Sequence, residues 1–297
     1  LPAIGSRFAN ISPEASCVTE HTKQLRPLDA LRRSIQATRD EADSSRISPP
    51  PSGAAGPLLM LVVAGVALAM SDAVGGASDW AALARLLAAV GAPEAGRAVA
   101  TWMREPVSGS NHRLIYWALN CQLWYLLLPL LWATFAARIP LHQLGLGVGR
   151  MRAHLPAYAT LALLLFPLLL LVSAQPAFLR VYPYFDPLPG APLWPDFWRL
   201  ELLYFAQFAA VEFFFRGFLV QGLRSTFGYA SVYLSLLPYC MIHFGKPLPE
   251  VLAALIAGMV LGHLSLASRS IWPGVALHIF AAATMDLAVL WRKGLLG

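Results

Sequence analysis

AVEFFFRGFL, residues 210–219, is the stretch that decides the fold. It sets Glu212 and Arg216 four residues apart among Phe213, Phe214, Phe215 and Phe218. A segment this apolar belongs in lipid or in a packed core. A charge in either place is costly unless it is paired or faces a water-filled cavity. Positions i and i+4 share one helix face, so the reading is a helix carrying a buried ion pair. Gly217, directly after the arginine, lets a neighbouring helix approach closely.

The stretch lies inside one of seven apolar blocks, near 58–76, 114–136, 154–174, 198–221, 229–244, 250–268 and 271–291. About 20 apolar residues span a bilayer as a helix. The predicted class is therefore all-α, a polytopic helical membrane protein of about seven transmembrane helices plus one interfacial amphipathic helix. Composition points the same way: 57% of the 297 residues are hydrophobic and 13% charged, against ~25% charged in soluble domains. Mean hydropathy is +0.58.

The net charge of +6 is the basic bias of juxtamembrane loops. No clustered basic face with interleaved aromatics accompanies it, so nucleic acid is not an expected partner. Cys17, Cys121 and Cys240 form no CxxC pair, and two lie in apolar blocks, where cysteine serves as a small hydrophobe.

Three regions follow. Residues 1–56 are polar, close on SSRISPPPSGAAG and read as a disordered N-terminal tail without the apolar core of a signal peptide. Residues 57–176 hold the N-terminal transmembrane helices, with an amphipathic interfacial helix at about 79–103. Residues 177–297 form a core of four helices, entered through VYPYFDPLPGAPLWPDFW, an ordered extramembrane loop with interfacial Trp and Tyr anchors. No internal repeat of the kind that builds many transporters is present. Arg138, Arg150 and Arg152 favour a cytoplasmic loop between the second and third blocks.

Ionisable residues inside spanning helices mark functional sites by default, and here they collect in the C-terminal half: Glu201, Glu212, Arg216, His243, His263, His278 and Asp286, with Lys246 and Glu250 at the turn after the fifth block. His263 lies between small residues and reads as packing. Two histidines and a carboxylate on different helices, His243, His278 and Glu212, can bind a divalent metal or polarise a water for attack on a carbonyl. A proton relay in a transporter uses the same residue types. Asp286, two turns beyond His278, could orient that imidazole through a water or cap a polar pocket near the interface; Asp286 and Glu250 are candidate outer residues of the site.

EFFFRGF, HFGKPLPE and GMVLGHLSLASRSIWPGVALH, in this order, resemble the CPBP family, the CAAX-processing and bacteriocin-processing (Abi) intramembrane proteases. The resemblance covers roughly 198–290. It implies a helical membrane protease that hydrolyses peptide bonds in a membrane cavity. Glu212 and Arg216 match the second Glu and the Arg of the family's EExxxR motif, and His243 and His278 match its two histidines. The catalytic set implied is thus Glu212, Arg216, His243 and His278. Glu212 with His243 would activate water, His278 would polarise the carbonyl and Arg216 would orient Glu212. The family is described both as metalloproteases and as metal-free. On the first description Glu212, His243 and His278 would hold Zn2+ or another divalent ion. Three positions depart from the pattern: Val211 stands where the first Glu belongs, Tyr239 where Phe is usual, and Ala282 where Asn or Asp follows the last histidine.

The expected function is an intramembrane endopeptidase of the CAAX-protease-like type. Its partners would be a peptide or protein substrate presented at the membrane and the lipid bilayer, and its location a bacterial inner membrane. Val211 and Ala282 keep open a second class, a catalytically impaired relative that binds peptides or lipopeptides. A proton-coupled transporter is a third.

Overall fold

The computed structural model describes residues 27–47, 55–76, 80–104, 109–185, 193–194 and 196–296. Among them the regular structure is entirely helical. The helices are α1 (Pro27–Ser44), α2 (Ala55–Val74), α3 (Trp80–Ala89), α4 (Pro93–Met103), α5 (Gly109–Cys121), α6 (Met151–Val172), α7 (Pro176–Val181), α8 (Asp196–Glu212), α9 (Ala230–Met241), α10 (Leu248–Ser268) and α11 (Trp272–Arg292). Two run on past these bounds: α5 through wide π turns to Ala136, and α8 through the π stretch Phe213–Gln221 to Phe227.

Six of these helices are long and apolar enough to cross a membrane: α2, extended α5, α6, extended α8, α10 and α11. The fifth block, expected to span, is the 12-residue α9. At 1.5 Å per residue it is about 18 Å long, short of a ~30 Å hydrocarbon core. It pairs with α10 as a hairpin through a turn at Gly245, whose φ of +87° suits glycine. Pro247 then leads into α10.

Extended α8 is the axis of the bundle. Phe213, Phe214, Phe215 and Phe218 are fully buried there and pack with Tyr125, Met60, Leu144 and Tyr239 in the largest core cluster. Two glycines allow the surrounding close approaches. A Cβ at Gly217 would strike the Leu144 carbonyl oxygen, and one at Gly262 would strike Val232 of α9.

Three expectations are corrected outside the bundle. Residues 27–47 of the supposed disordered tail form α1 and a 3-10 turn docked on the core. Ala42 packs with Val220, Tyr229, Val232 and Leu266. Glu41 pairs with Arg150 at 2.8 Å and Arg269 at 2.7 Å, and Asp43 accepts from the Tyr229 amide at 2.9 Å. Composition missed this because the segment is ordered by ion pairs and hydrogen bonds to distant loops rather than by its own apolar content. The remainder of 1–56, apart from 55–56, lies outside the described residues. The single amphipathic helix at 79–103 is instead the hairpin α3–α4, broken at Gly91 (φ +86°) and restarted by Pro93. In the loop after α6, Tyr182 turns inward and is buried rather than anchoring at an interface, while Trp194 and Trp198 stay exposed as anchors would; residues 186–192 lie outside the described residues.

Candidate active site

The bundle surrounds a cavity of about 830 Å³ that is partly open to the outside. Its walls are mostly apolar; polar side chains come from α2 (Ser71, Asp72), from α8, from α9 and the α9–α10 turn, and from His278 of α11. The α8 face seen from the cavity is Tyr204, Gln207, Phe208 and Val211, the i, i+3, i+4, i+7 pattern of one helix face. Val211, where the resemblance expects a glutamate, is therefore on the cavity wall.

Glu212 lies behind that wall and does not line the cavity. Successive residues turn a helix by about 100°, so the side chain next to Val211 points elsewhere. Only 1% of it is exposed. Its Oε1 is 3.2 Å from Arg216 Nη1 and 2.9 Å from His278 Nδ1. The Arg216 contact is an ion pair and the His278 contact a close polar one, both with angles outside the hydrogen-bond range. The π stretch that starts at Phe213 widens the turn just where Arg216 must reach back, and such wide turns recur at functional sites. Gly274 makes room for the carboxylate, since a Cβ there would collide with Glu212 Oε2. The assignment of Glu212 as a base in the cavity is thus corrected in its geometry: it is the partner of His278, not of His243.

His278 does line the cavity. Phe208 stacks on its ring at 5.3 Å, 10° from parallel. Its Nε2 is 3.1 Å from the Tyr239 hydroxyl. His243, just past the end of α9, lines the cavity too. Its Nδ1 lies 2.8 Å from the Tyr239 carbonyl oxygen. A carbonyl only accepts, so Nδ1 carries the hydrogen and neutral His243 presents its Nε2 lone pair. No described residue bonds that Nε2. The Tyr239 ring is near both imidazoles, 4.8 Å from His243 and 6.4 Å from His278 by ring centroids. Arg216 covers the ring at 3.9 Å.

Glu250 is at the other end of the cavity. It is bonded by Lys246 at 2.6 Å and by the Tyr182 hydroxyl at 2.9 Å. Burial pushes the Tyr182 phenol above its usual range, which keeps it a donor. Asp286 is fully buried beside Glu201 and is not on the cavity wall; none of its described contacts is with His278. Eight residues carry a helix about 80° past two turns, enough to aim Asp286 away. His263 contacts the Tyr229 hydroxyl at 3.3 Å, toward the α1 end.

The metal alternative meets a plain test. Among the described residues no three His, Cys, Asp or Glu side chains gather as a metal site would require. Glu212 faces Arg216, and His243 Nδ1 is taken by a carbonyl. The residues present do not fit the expected ligand set, and no step below is routed through a metal.

Residues 192–284 match the family model described as Type II CAAX prenyl endopeptidase Rce1-like. This region is similar to the Rce1-like proteins, in keeping with the CPBP resemblance of its motifs. It is roughly a third of the chain and contains Glu212, Arg216, Tyr239, His243 and His278. Comparison with curated proteins and with solved structures gave no match. The Rce1-like region thus comprises α8 to most of α11, the helices that supply both cavity imidazoles.

Three cavity residues escaped the sequence reading: Asp72 of the first apolar block, Tyr239 and Gln207. Tyr239 was noted only as a replacement for Phe, although its hydroxyl and its i, i+4 relation to His243 were the available signal. Gln207 is 3% exposed and lies one turn before Val211, and no described residue bonds its carboxamide. Nothing in its sequence context set it apart.

Proposed function

We propose that the protein is an intramembrane endopeptidase of the CAAX-protease-like type, acting on a peptide presented at a bacterial inner membrane. The observation that carries this is the placement of two imidazoles, His243 and His278, close to Tyr239 in one cavity of the Rce1-like region.

His243 is the group suited to activate water, because its Nε2 lone pair is free and its tautomer is fixed from behind. Water adds its oxygen to the scissile carbonyl carbon and gives its proton to His243 Nε2. The carbonyl π pair moves onto oxygen. Collapse of the tetrahedral adduct expels the amine, which takes the proton back from His243. His278 lines the same cavity, with its Nε2 3.1 Å from the Tyr239 hydroxyl. Glu212, steadied by Arg216, holds that imidazole in place. Val211 leaves His243 without the carboxylate that the family pattern would put beside the water, so turnover slower than that of a chain with the full motif is expected.

The test is cleavage of a peptide library, including peptides ending in a prenylated CAAX sequence, by purified protein in detergent. Wild type, His243→Gln, His278→Ala and Glu212→Gln are compared. Cleavage that falls by about 10²-fold or more in His243→Gln, the scale of general-base loss, supports the reading. No cleavage by well-folded wild type, with saturable binding of the same peptides, favours a peptide-binding protein instead. Val211 and Ala282 on the cavity wall are the observations behind that second reading.

A further inference from the structure

We infer that the Tyr239 hydroxyl is a catalytic hydrogen-bond donor that stabilises the oxyanion of the tetrahedral adduct. It supplies the polar group that Ala282 lacks. The inference rests on the peptidase reading above and names a residue that the motif pattern would leave as an aromatic spacer.

The direction of the hydrogen bond at Tyr239 follows from its surroundings. His278 Nδ1 is 2.9 Å from the Glu212 carboxylate, where a bare ring lone pair would be repelled, so Nδ1 carries the hydrogen and in the neutral ring Nε2 holds the lone pair. The Tyr239 O–H is therefore the donor across the 3.1 Å to Nε2. It is a donor aimed along the cavity wall and, among the described residues, the hydrogen-bond partner of Nε2.

The hydroxyl is also held stiffly. The ring is 2% exposed, with Arg216 over one face at 3.9 Å and Phe215 edge-on at 5.2 Å. Gly258 of α10 makes space for it: a Cβ there would come to 3.0 Å from the ring. A donor fixed before the reaction needs no reorganisation when charge develops on the carbonyl oxygen, and this is the condition under which such donors contribute most. Rotation of the O–H about its C–O bond turns the hydrogen from Nε2 toward an oxygen lying between the two imidazoles. The phenol keeps its proton throughout. Ala282, one turn beyond His278 and on the same cavity wall, offers only a methyl group.

The experiment compares wild type, Tyr239→Phe and the double variant Tyr239→Phe/Ala282→Asn on the best-cleaved peptide, with the unfolding midpoint of each recorded. Tyr239→Phe removes one oxygen and keeps the ring, its stacking and its contact with Arg216. The expected result is a fall in kcat of about 10²-fold or more, the scale of one lost oxyanion donor. KM should stay within about threefold, because the donor acts on charge that appears only in the transition state. Asparagine at 282 should recover at least tenfold of the loss, which restored packing alone would not do. Wild-type kcat in Tyr239→Phe would overturn the inference and leave the peptidase reading intact, as would a loss confined to stability or KM. Wild type that cleaves nothing removes the peptidase reading and this inference with it.

Discussion

Helix α6 and extended α8 are both long enough to cross a membrane, yet they solve opposite problems. α6 has a mean hydropathy of 2.3, and only 6% of its apolar window is buried inside the protein. Extended α8 has a mean hydropathy of 1.4 and is 72% buried. Leu163, Leu164 and Leu171 of α6 stand well exposed, as lipid-facing residues do, and no ionisable residue interrupts its middle. Helix α8 and its extension carry Glu201, Gln207, Glu212, Arg216 and Gln221, all buried. A helix facing lipid must present apolar groups because nothing there can pair a polar one. A helix wrapped by other helices can hold charges, provided each meets a partner: Glu212 has Arg216 and His278, and Gln221 donates to the Ser265 carbonyl. Polarity within the membrane is thus a sign of protein around the helix, and the site is built on the helix with the most protein around it.

That contrast can be broken most severely at Arg216. Arg216→Leu leaves Glu212 buried without its guanidinium and should cost about 3–5 kcal/mol, read as a lowered unfolding midpoint in detergent, together with loss of cleavage. A midpoint unchanged by Arg216→Leu would mean that the pair contributes nothing to the bundle. Gly274→Ala comes next. Its new Cβ meets Glu212 Oε2, and overpacking of this kind costs about 1–3 kcal/mol. Because the carboxylate must move away from His278, cleavage should fall along with stability. Full activity in Gly274→Ala would show that the Glu212 position is not critical.

A smaller effect is expected at the docked N-terminal helix. Burial alone would raise the Glu41 carboxyl, but hydrogen bonds from Arg150 and Arg269 hold it below the ordinary carboxylate range. A depressed carboxyl stabilises the folded state above its unfolded value, and that contribution is lost as pH falls through the folded value. Glu41 is 42% exposed, so the pair is solvent-screened and contributes only a few tenths of a kcal/mol. Wild type should be slightly more stable than Glu41→Gln at pH 7, and the gap should close as pH drops below about 4.5. A gap independent of pH would assign the effect to something other than the charge. The least effect belongs to α6: Leu164→Ala, at a position 66% exposed, should shift stability by less than about 0.5 kcal/mol. A large loss there would show that α6 is packed against protein and not lipid.

Much of this was legible in the sequence. The apolar blocks gave every membrane-long helix, and the concentration of ionisable residues in the C-terminal half pointed to most of the helices that form the cavity, though not to Asp72 of α2. The fifth block misled because an apolar run shows hydropathy but not where the helix will stop; the turn beginning at Ile242 leaves α9 short. Residues 27–47 misled for the opposite reason. Their order depends on Arg150, Arg269 and Tyr229, more than a hundred residues away in the chain.

For this protein the sequence by itself determined that the chain is helical and membrane-embedded, and which polar side chains had to find partners there, because both follow from the cost of placing polar groups in an apolar medium. Only the tertiary structure decided which of two adjacent residues, Val211 or Glu212, looks into the cavity, and that Tyr239 lies close to both His243 and His278. Spacing along a helix fixes which side chains share a face. The direction that face points is set by the packing of neighbouring helices, through contacts such as those at Gly217, Gly262 and Gly274.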